Sequence, residues 1–238
     1  MTFLKEAEVK SQKVLALLTF VTMLCAIYAI FLYAPTEASM GDVQRIFYFH
    51  VSSAWICFLA ILSVFVYSAL FLITGTRKMD IKAAAAAEVG AIFATIVLVT
   101  GPLWAKPVWG IWWTWDPRLT SMFVLWLIYM GYIMLRRLIE APEQRARLSA
   151  IFGILGAIDV PIVYMSNRWW RTQHPSPVMA GGQGSGLDPH MKIAFFLSLA
   201  AFTFFYFYLW RIRTDLESSQ EAVEALQRQL ETQRRGTL

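Results

Sequence analysis

Between His50 and His174 lies WGIWWTWDPRLTS, residues 109–121, which places Trp109, Trp112, Trp113 and Trp115 within seven positions and follows them with Asp116 and Arg118. A neutral imidazole offers a nitrogen lone pair to a transition metal, and two of them on opposite sides of a flat aromatic shelf form the axial ligand pair of a non-covalently held haem iron. Tryptophan faces stack on and bury a planar ring, each Å2 of apolar area removed from water contributing about 25 cal/mol. The propionates of such a ring need cations, and Arg45, Lys106, Arg118, Arg168 and Arg171 are candidates, since guanidinium grips carboxylate bidentately. Asp116 suits a hydrogen-bond acceptor that holds the loop. His190, beside Asp188 and Pro189, reads as a capping or interfacial residue. A competing reading makes the tryptophans an interfacial aromatic belt. Against it stand their contiguity, the breakers Pro102, Pro107, Gly110 and Pro117, which predict a shaped loop at about 104–118, and the recurrence at Trp169-Trp170. In an extended loop Trp113 and Trp115 share one face and Trp112 takes the other.

The elements that position these residues are apolar. The chain is 58% hydrophobic and 16% charged, against roughly a quarter charged in a soluble domain. Six apolar blocks, about 14–34, 51–74, 83–103, 119–138, 148–166 and 191–210, are each long enough to span a bilayer as a helix. The predicted fold is an all-α integral membrane protein with six transmembrane helices: an N-tail over 1–13, a membrane domain over 14–210 and a C-terminal helix over 211–238. Leu216, Val223, Leu226 and Leu230 give that last helix a short heptad stripe, and a solvated extension of the sixth span is the expected state. Cys25 and Cys57 fall inside spans and form no CxxC. The absence of CxxCH excludes c-type covalent haem attachment.

Charge sets the expected orientation. Fifteen of the 21 Lys and Arg residues fall on the side shared by the termini, including Lys5, Lys10, Lys13, Arg77, Lys78, Lys82, Arg136 and Arg137. Both termini are therefore expected in the cytoplasm, and all three histidines on the outer face. The net charge of +5 expresses this asymmetry toward membrane lipid, not nucleic-acid binding. Glu88 and Asp159 fall inside spans. Glu88 is expected to snorkel to the cytoplasmic surface, and Asp159 to accept hydrogens freed by a kink at Pro161. No Walker sequence, HExxH, GxSxG or paired-carboxylate pattern occurs, so neither hydrolysis nor ATP use is expected, and the chain does not read as an enzyme.

WGIWWTWDPRLTS resembles the WWD signature of membrane proteins that handle haem in cytochrome c biogenesis. Six spans, with one such loop between the third and fourth and one histidine in each flanking outer loop, resemble the smallest branch, the haem exporter protein C (CcmC) family. RIFYFHVSSAW and DVPIVYMSNRWWRTQHP extend the likeness to about 13–210. The resemblance implies His50 and His174 as axial ligands of haem b, held without a covalent bond and only transiently. It implies Trp109, Gly110, Trp112, Trp113, Trp115, Asp116 and Arg118 as the loop that presents haem to the periplasmic chaperone CcmE. It also implies CcmD and the ABC-type subunits CcmA and CcmB as partners, and the bacterial inner membrane as the location. Ser52 stands where the family usually has proline, and Gln173-His174-Pro175 where it usually has Leu-His-Gln.

Two rival readings remain at this point. A quinol-oxidising b-type cytochrome holds haem between helices through histidines inside spans, whereas here His50 is expected at the outer mouth of the second span. A transporter that conducts haem through its helices needs a polar midplane path, for which Asp159 and the breaks in span five are the available features.

Overall fold

The computed structural model describes residues 2–174 and 186–236, with side chains placed for 9–174 and 186–234. Residues 175–185 of the third expected outer loop, and residues 1 and 237–238 of the expected tails, lie outside the described residues.

The described chain is helical, and six stretches are long and apolar enough to cross a membrane: Val9–Tyr33, Asp42–Thr74, Arg77–Trp109, Pro117–Leu138, Pro142–Trp169 and Pro189–Arg234. Helix α1 spans Thr2–Tyr28 and runs into a π turn over Ala29–Tyr33. Helix α2, Ile46–Thr74, follows a 3-10 turn at Asp42–Arg45. It stops at Gly75, whose φ of +66° suits a residue without Cβ and whose N–H caps the Phe71 carbonyl at 2.8 Å. Helix α3 covers Arg77–Trp109 and α4 covers Pro117–Leu138. The fifth span is two helices, α5 (Pro142–Ala157) and α6 (Asp159–Trp169), and α7 is unbroken from Pro189 to Gly236.

Helices α2 and α3 share the most extensive interface, with α7, α5 and α4 packed around them and α1 laid along α7. The close approach follows from small side chains, as in membrane bundles where backbone proximity replaces the hydrophobic effect. Ala83 to Ala87 of α3 are all buried. A Cβ at Gly90 would meet the Ala60 Cβ at 3.1 Å, and one at Gly156 would meet the Ile128 Cγ2 at 2.6 Å. Gly156→Val is therefore expected to destabilise the bundle by about 1–3 kcal/mol, read as thermal unfolding in detergent. Gly131→Ala, whose Cβ meets Phe152 only at 3.5 Å, should change little; equal effects at both positions would refute the close-approach argument.

Several sequence expectations change here. Pro102 and Pro107 lie inside α3 and do not break it, so the helix runs to Trp109 and the tryptophan loop proper is Gly110–Asp116. Each proline removes one N–H from the ladder, a loss that membrane helices tolerate when neighbours re-satisfy the backbone. His50 is not at a mouth: it sits in the second turn of α2, 8% exposed. The fifth span breaks at Ile158, where the N–H bonds the Leu155 carbonyl at 3.2 Å. Pro161, without an N–H, leaves the Ala157 carbonyl unbonded by the helix. Asp159, the expected acceptor, has one carboxylate oxygen, Oδ2, buried without a hydrogen-bond partner among the described residues.

The bundle end that bears the chain termini is held by ion pairs. Buried Asp80 accepts from Arg136 Nη1 at 2.6 Å and pairs with Arg77 at 3.0 Å. Arg77 in turn binds Glu221 of α7. Glu88 pairs with Arg213, which reaches Glu217 at 2.8 Å, so Glu88 has a protein partner where snorkelling was expected. The acidic face of the α7 tail thus rests on basic groups of α3 and α4. Leu216, Val223, Leu226 and Leu230 are exposed.

Candidate functional site

At the other end of the bundle, His50 and His174 line the same two adjoining cavities. One is a cleft of about 120 Å3, walled by α2, α3, α4 and α6 together with Phe195 of α7. The other, about 190 Å3, lies toward Trp109 and Gln173. His50, Trp104, Leu119 and His174 belong to both, so the histidine pair stands where the two spaces meet.

Each histidine is held differently. His50 is fixed within the helix bundle: its Nδ1 lies 2.9 Å from Thr100 Oγ1 of α3, and its ring meets Trp104 edge-on at 5.8 Å. His174 is on a loop. Its backbone N–H donates to Thr172 Oγ1 at 3.0 Å, and that hydroxyl donates to Asp116 Oδ2 at 2.8 Å. Its ring meets Trp109 at 6.5 Å in a T-shaped contact.

Asp116 therefore has two tasks. Its Oδ1 accepts the backbone N–H groups of Arg118 and Leu119, both at 2.9 Å, which caps α4 at Pro117. Its Oδ2 ties the tryptophan loop to the segment that carries His174. Gly110 ends α3 with φ +76°, a turn that side-chain-bearing residues rarely make, and its N–H caps Lys106 at 2.9 Å.

The tryptophans divide by position. Trp113 lines the cleft and Trp109 the second cavity. Trp115, 74% exposed, shares with Trp113 a shallow outer groove between α3 and α4, and the two rings meet at 5.6 Å. Trp112 is exposed and lines none of these spaces; the Lys106 ammonium lies 6.0 Å from its ring. Trp169 and Trp170 are exposed and pack on each other at 5.7 Å. They add nothing to the cavity walls.

The cations divide in the same way. Arg118 is the one of the five candidates that lines the cleft. Arg45 is committed elsewhere: it binds the Ile30 carbonyl and pairs with Asp42 at 3.0 Å, stapling the end of the first span to the start of the second. Lys106 donates to the Gly110 carbonyl at 2.9 Å, and Arg168 lies 5.8 Å from the Tyr164 ring centroid. His190 caps α7 with Asp188, its N–H donating to Oδ1 at 2.8 Å. That bond, with the imidazole beside it, holds the Asp188 carboxyl below the usual carboxylate range.

Buried hydrogen-bond donors normally have partners. Around the cleft, among the described residues, three do not: Trp104 Nε1, Trp113 Nε1 and Arg118 Nη1. A cavity with paired imidazoles, aromatic walls and a surplus of donors fits a metal-bearing aromatic ring with carboxylates. Sequence reasoning missed Trp104 and Thr100. The signal was present: Val97, Thr100, Trp104 and Val108 recur at helical spacing, which would have carried α3 through its prolines.

Fold and site define a multi-pass helical membrane protein built around a paired-histidine cleft under a tryptophan loop. Residues 2–229 match the family described as haem exporter protein C. The chain belongs to that family. It is 37% identical over 201 residues to haem exporter protein C of Bradyrhizobium diazoefficiens, an alignment that covers 82% of this chain and 74% of the relative. The haem exporter protein C of Paracoccus denitrificans is 32% identical over 193 residues (81% and 80% covered), and that of Escherichia coli 34% over 160 residues (67% and 64%).

Proposed function

We propose that this protein binds haem b non-covalently between His50 and His174 and presents it to the haem chaperone CcmE during c-type cytochrome biogenesis. The coarser statement already follows from the family: its members handle haem for cytochrome c assembly, together with other Ccm components. The observation that carries the finer reading is the shared cleft, because two imidazoles from separate elements, a helix and a loop, line one aromatic-walled space.

Each residue then has a task toward the cargo. His50 and His174 supply the axial nitrogens. Trp104, Trp109 and Trp113 cover the ring and exclude water. Arg118, with a buried and unpartnered Nη1, receives a propionate. The exposed Trp112 and Trp115 form the rim that meets the acceptor. The charge asymmetry supports cytoplasmic termini and a periplasmic cleft in the bacterial inner membrane, with CcmD, CcmA and CcmB as membrane partners. The burial of His50 within a helix removes the sequence argument against a b-type redox subunit. The open cleft and the placement of His174 on a loop favour a transient cargo instead.

Haem titrated into the purified apoprotein should give the spectrum of a six-coordinate, low-spin iron. A five-coordinate spectrum, or no binding, would overturn the paired ligation. Arg118→Leu is expected to weaken haem retention about 10–150-fold, the loss of one charge-assisted pair of roughly 1.5–3 kcal/mol, with the low-spin bands unchanged. Retention equal to wild type would remove Arg118 from the site.

A further inference from the structure

The Thr100 hydroxyl sits between two groups that compete for its single proton. Its Oγ1 lies 2.7 Å from the Ile96 carbonyl one turn earlier in α3, and 2.9 Å from His50 Nδ1 on α2. A carbonyl oxygen can only accept, so at 2.7 Å the hydroxyl must donate to it; otherwise two sets of lone pairs would face each other in a buried place. The same back-bond recurs at Thr19, Thr95, Thr203 and Thr214, so it is the ordinary state of threonine in these helices. With its proton committed, Oγ1 can only accept from the imidazole, and Nδ1 must carry the ring hydrogen. The neutral ring then leaves Nε2 bare.

From this we infer that Thr100 is a positioning residue that selects the His50 tautomer, keeping the Nε2 lone pair turned toward the cleft and ready for a metal. The inference rests on the haem-binding reading for its purpose, but the tautomer itself is a property of the protein alone. Among the described residues Thr100 is the sole hydrogen-bond partner of the His50 ring. The ring is also fenced on its other edges. A Cβ at Gly101 would lie 3.5 Å from His50 Cε1, and Trp104 stands edge-on at 5.8 Å. An imidazole whose second N–H is bonded to an oxygen is the usual arrangement for a metal-ligating histidine: it fixes ring orientation and raises ligand basicity, and losing it weakens metal affinity about 10–100-fold.

The test uses the full chain, purified without haem and labelled with 15N-histidine, the His50 signals being identified by their loss in His50→Ala. Long-range 1H–15N correlation should show a protonated Nδ1 and an unprotonated Nε2 in the wild type. Thr100→Val should mix or invert the two, and Thr100→Ser should restore the wild-type pattern. A protonated Nε2 in the wild type overturns the proposal, and so does a wild-type pattern in Thr100→Val. After haem addition, Thr100→Val should bind at least about tenfold more weakly and show a raised iron reduction potential, with Thr100→Ser unchanged. Equal potentials in all three proteins would overturn it too. If the valine variant does not accumulate, the wild-type tautomer and the serine variant still decide. Failure of the wild type to bind haem would sink the functional reading and leave the tautomer result standing, so the two failures are distinguishable.

Discussion

Alanine at His50 is expected to abolish loading of the haem chaperone and to remove the low-spin haem bands from the purified protein, with its level in the membrane unchanged. Two features make this the largest effect. Removing an axial ligand costs more than removing the group that orients it, which is worth about 10–100-fold in affinity. The ring is also rooted in α2 and 8% exposed, so its position is fixed by the helix bundle. His174→Ala should lose loading as well, with a milder effect on the fold, because its backbone belongs to a loop. The measurement is paired: absorption spectra of wild type and both variants, and haem covalently attached to the chaperone in cells. Normal loading by both variants would defeat the proposed function.

The second large effect is expected at Asp116. Its carboxylate caps α4 and holds Thr172, whose hydroxyl receives the His174 N–H. Asp116→Ala removes both contacts. The lost cap costs about 0.5–2 kcal/mol of stability, and the lost tether frees the loop that carries one proposed axial ligand. Thr172→Val separates the two contributions: it keeps the cap and cuts the tether. Haem retention should fall about tenfold or more in both variants, while thermal unfolding should move only in Asp116→Ala. If Thr172→Val retained haem as the wild type does, the tether would have no part in ligation.

Much of the framework was legible in the chain because a bilayer imposes one rule. Long apolar runs must become helices, and the six spans follow from it; the helical tail follows instead from its short heptad stripe. That His50 and His174 belong to one end of the bundle was expected from their positions relative to the spans and the tryptophans, and both line the same cleft. What escaped was local. Proline is a breaker by rule, yet α3 passes through Pro102 and Pro107, and this carries Trp104 and Trp109 on helical spacing into the cavity walls. The propionates of the expected ring called for cations on this end but not for a particular one, since Arg45, Lys106 and Arg118 look alike in a sequence. Contacts separate them: Arg45 is engaged with Ile30 and Asp42, whereas Arg118 lines the cleft. Thr100 was invisible because its meaning depends on two distances across a helix pair. The break at Ile158 was anticipated at Pro161, but the bare carboxylate oxygen of Asp159 was not.

Helix α7 has a mechanical consequence. Its 48 residues make a rod of about 72 Å at 1.5 Å per residue, more than twice the roughly 30 Å thickness of a bilayer's hydrocarbon core. Near one end Phe195 forms part of the cleft wall; further along, Glu217 and Glu221 are gripped by Arg136 and Arg77. No joint interrupts it between them, so a push or twist applied to the tail arrives at the cleft wall as displacement of a stiff lever.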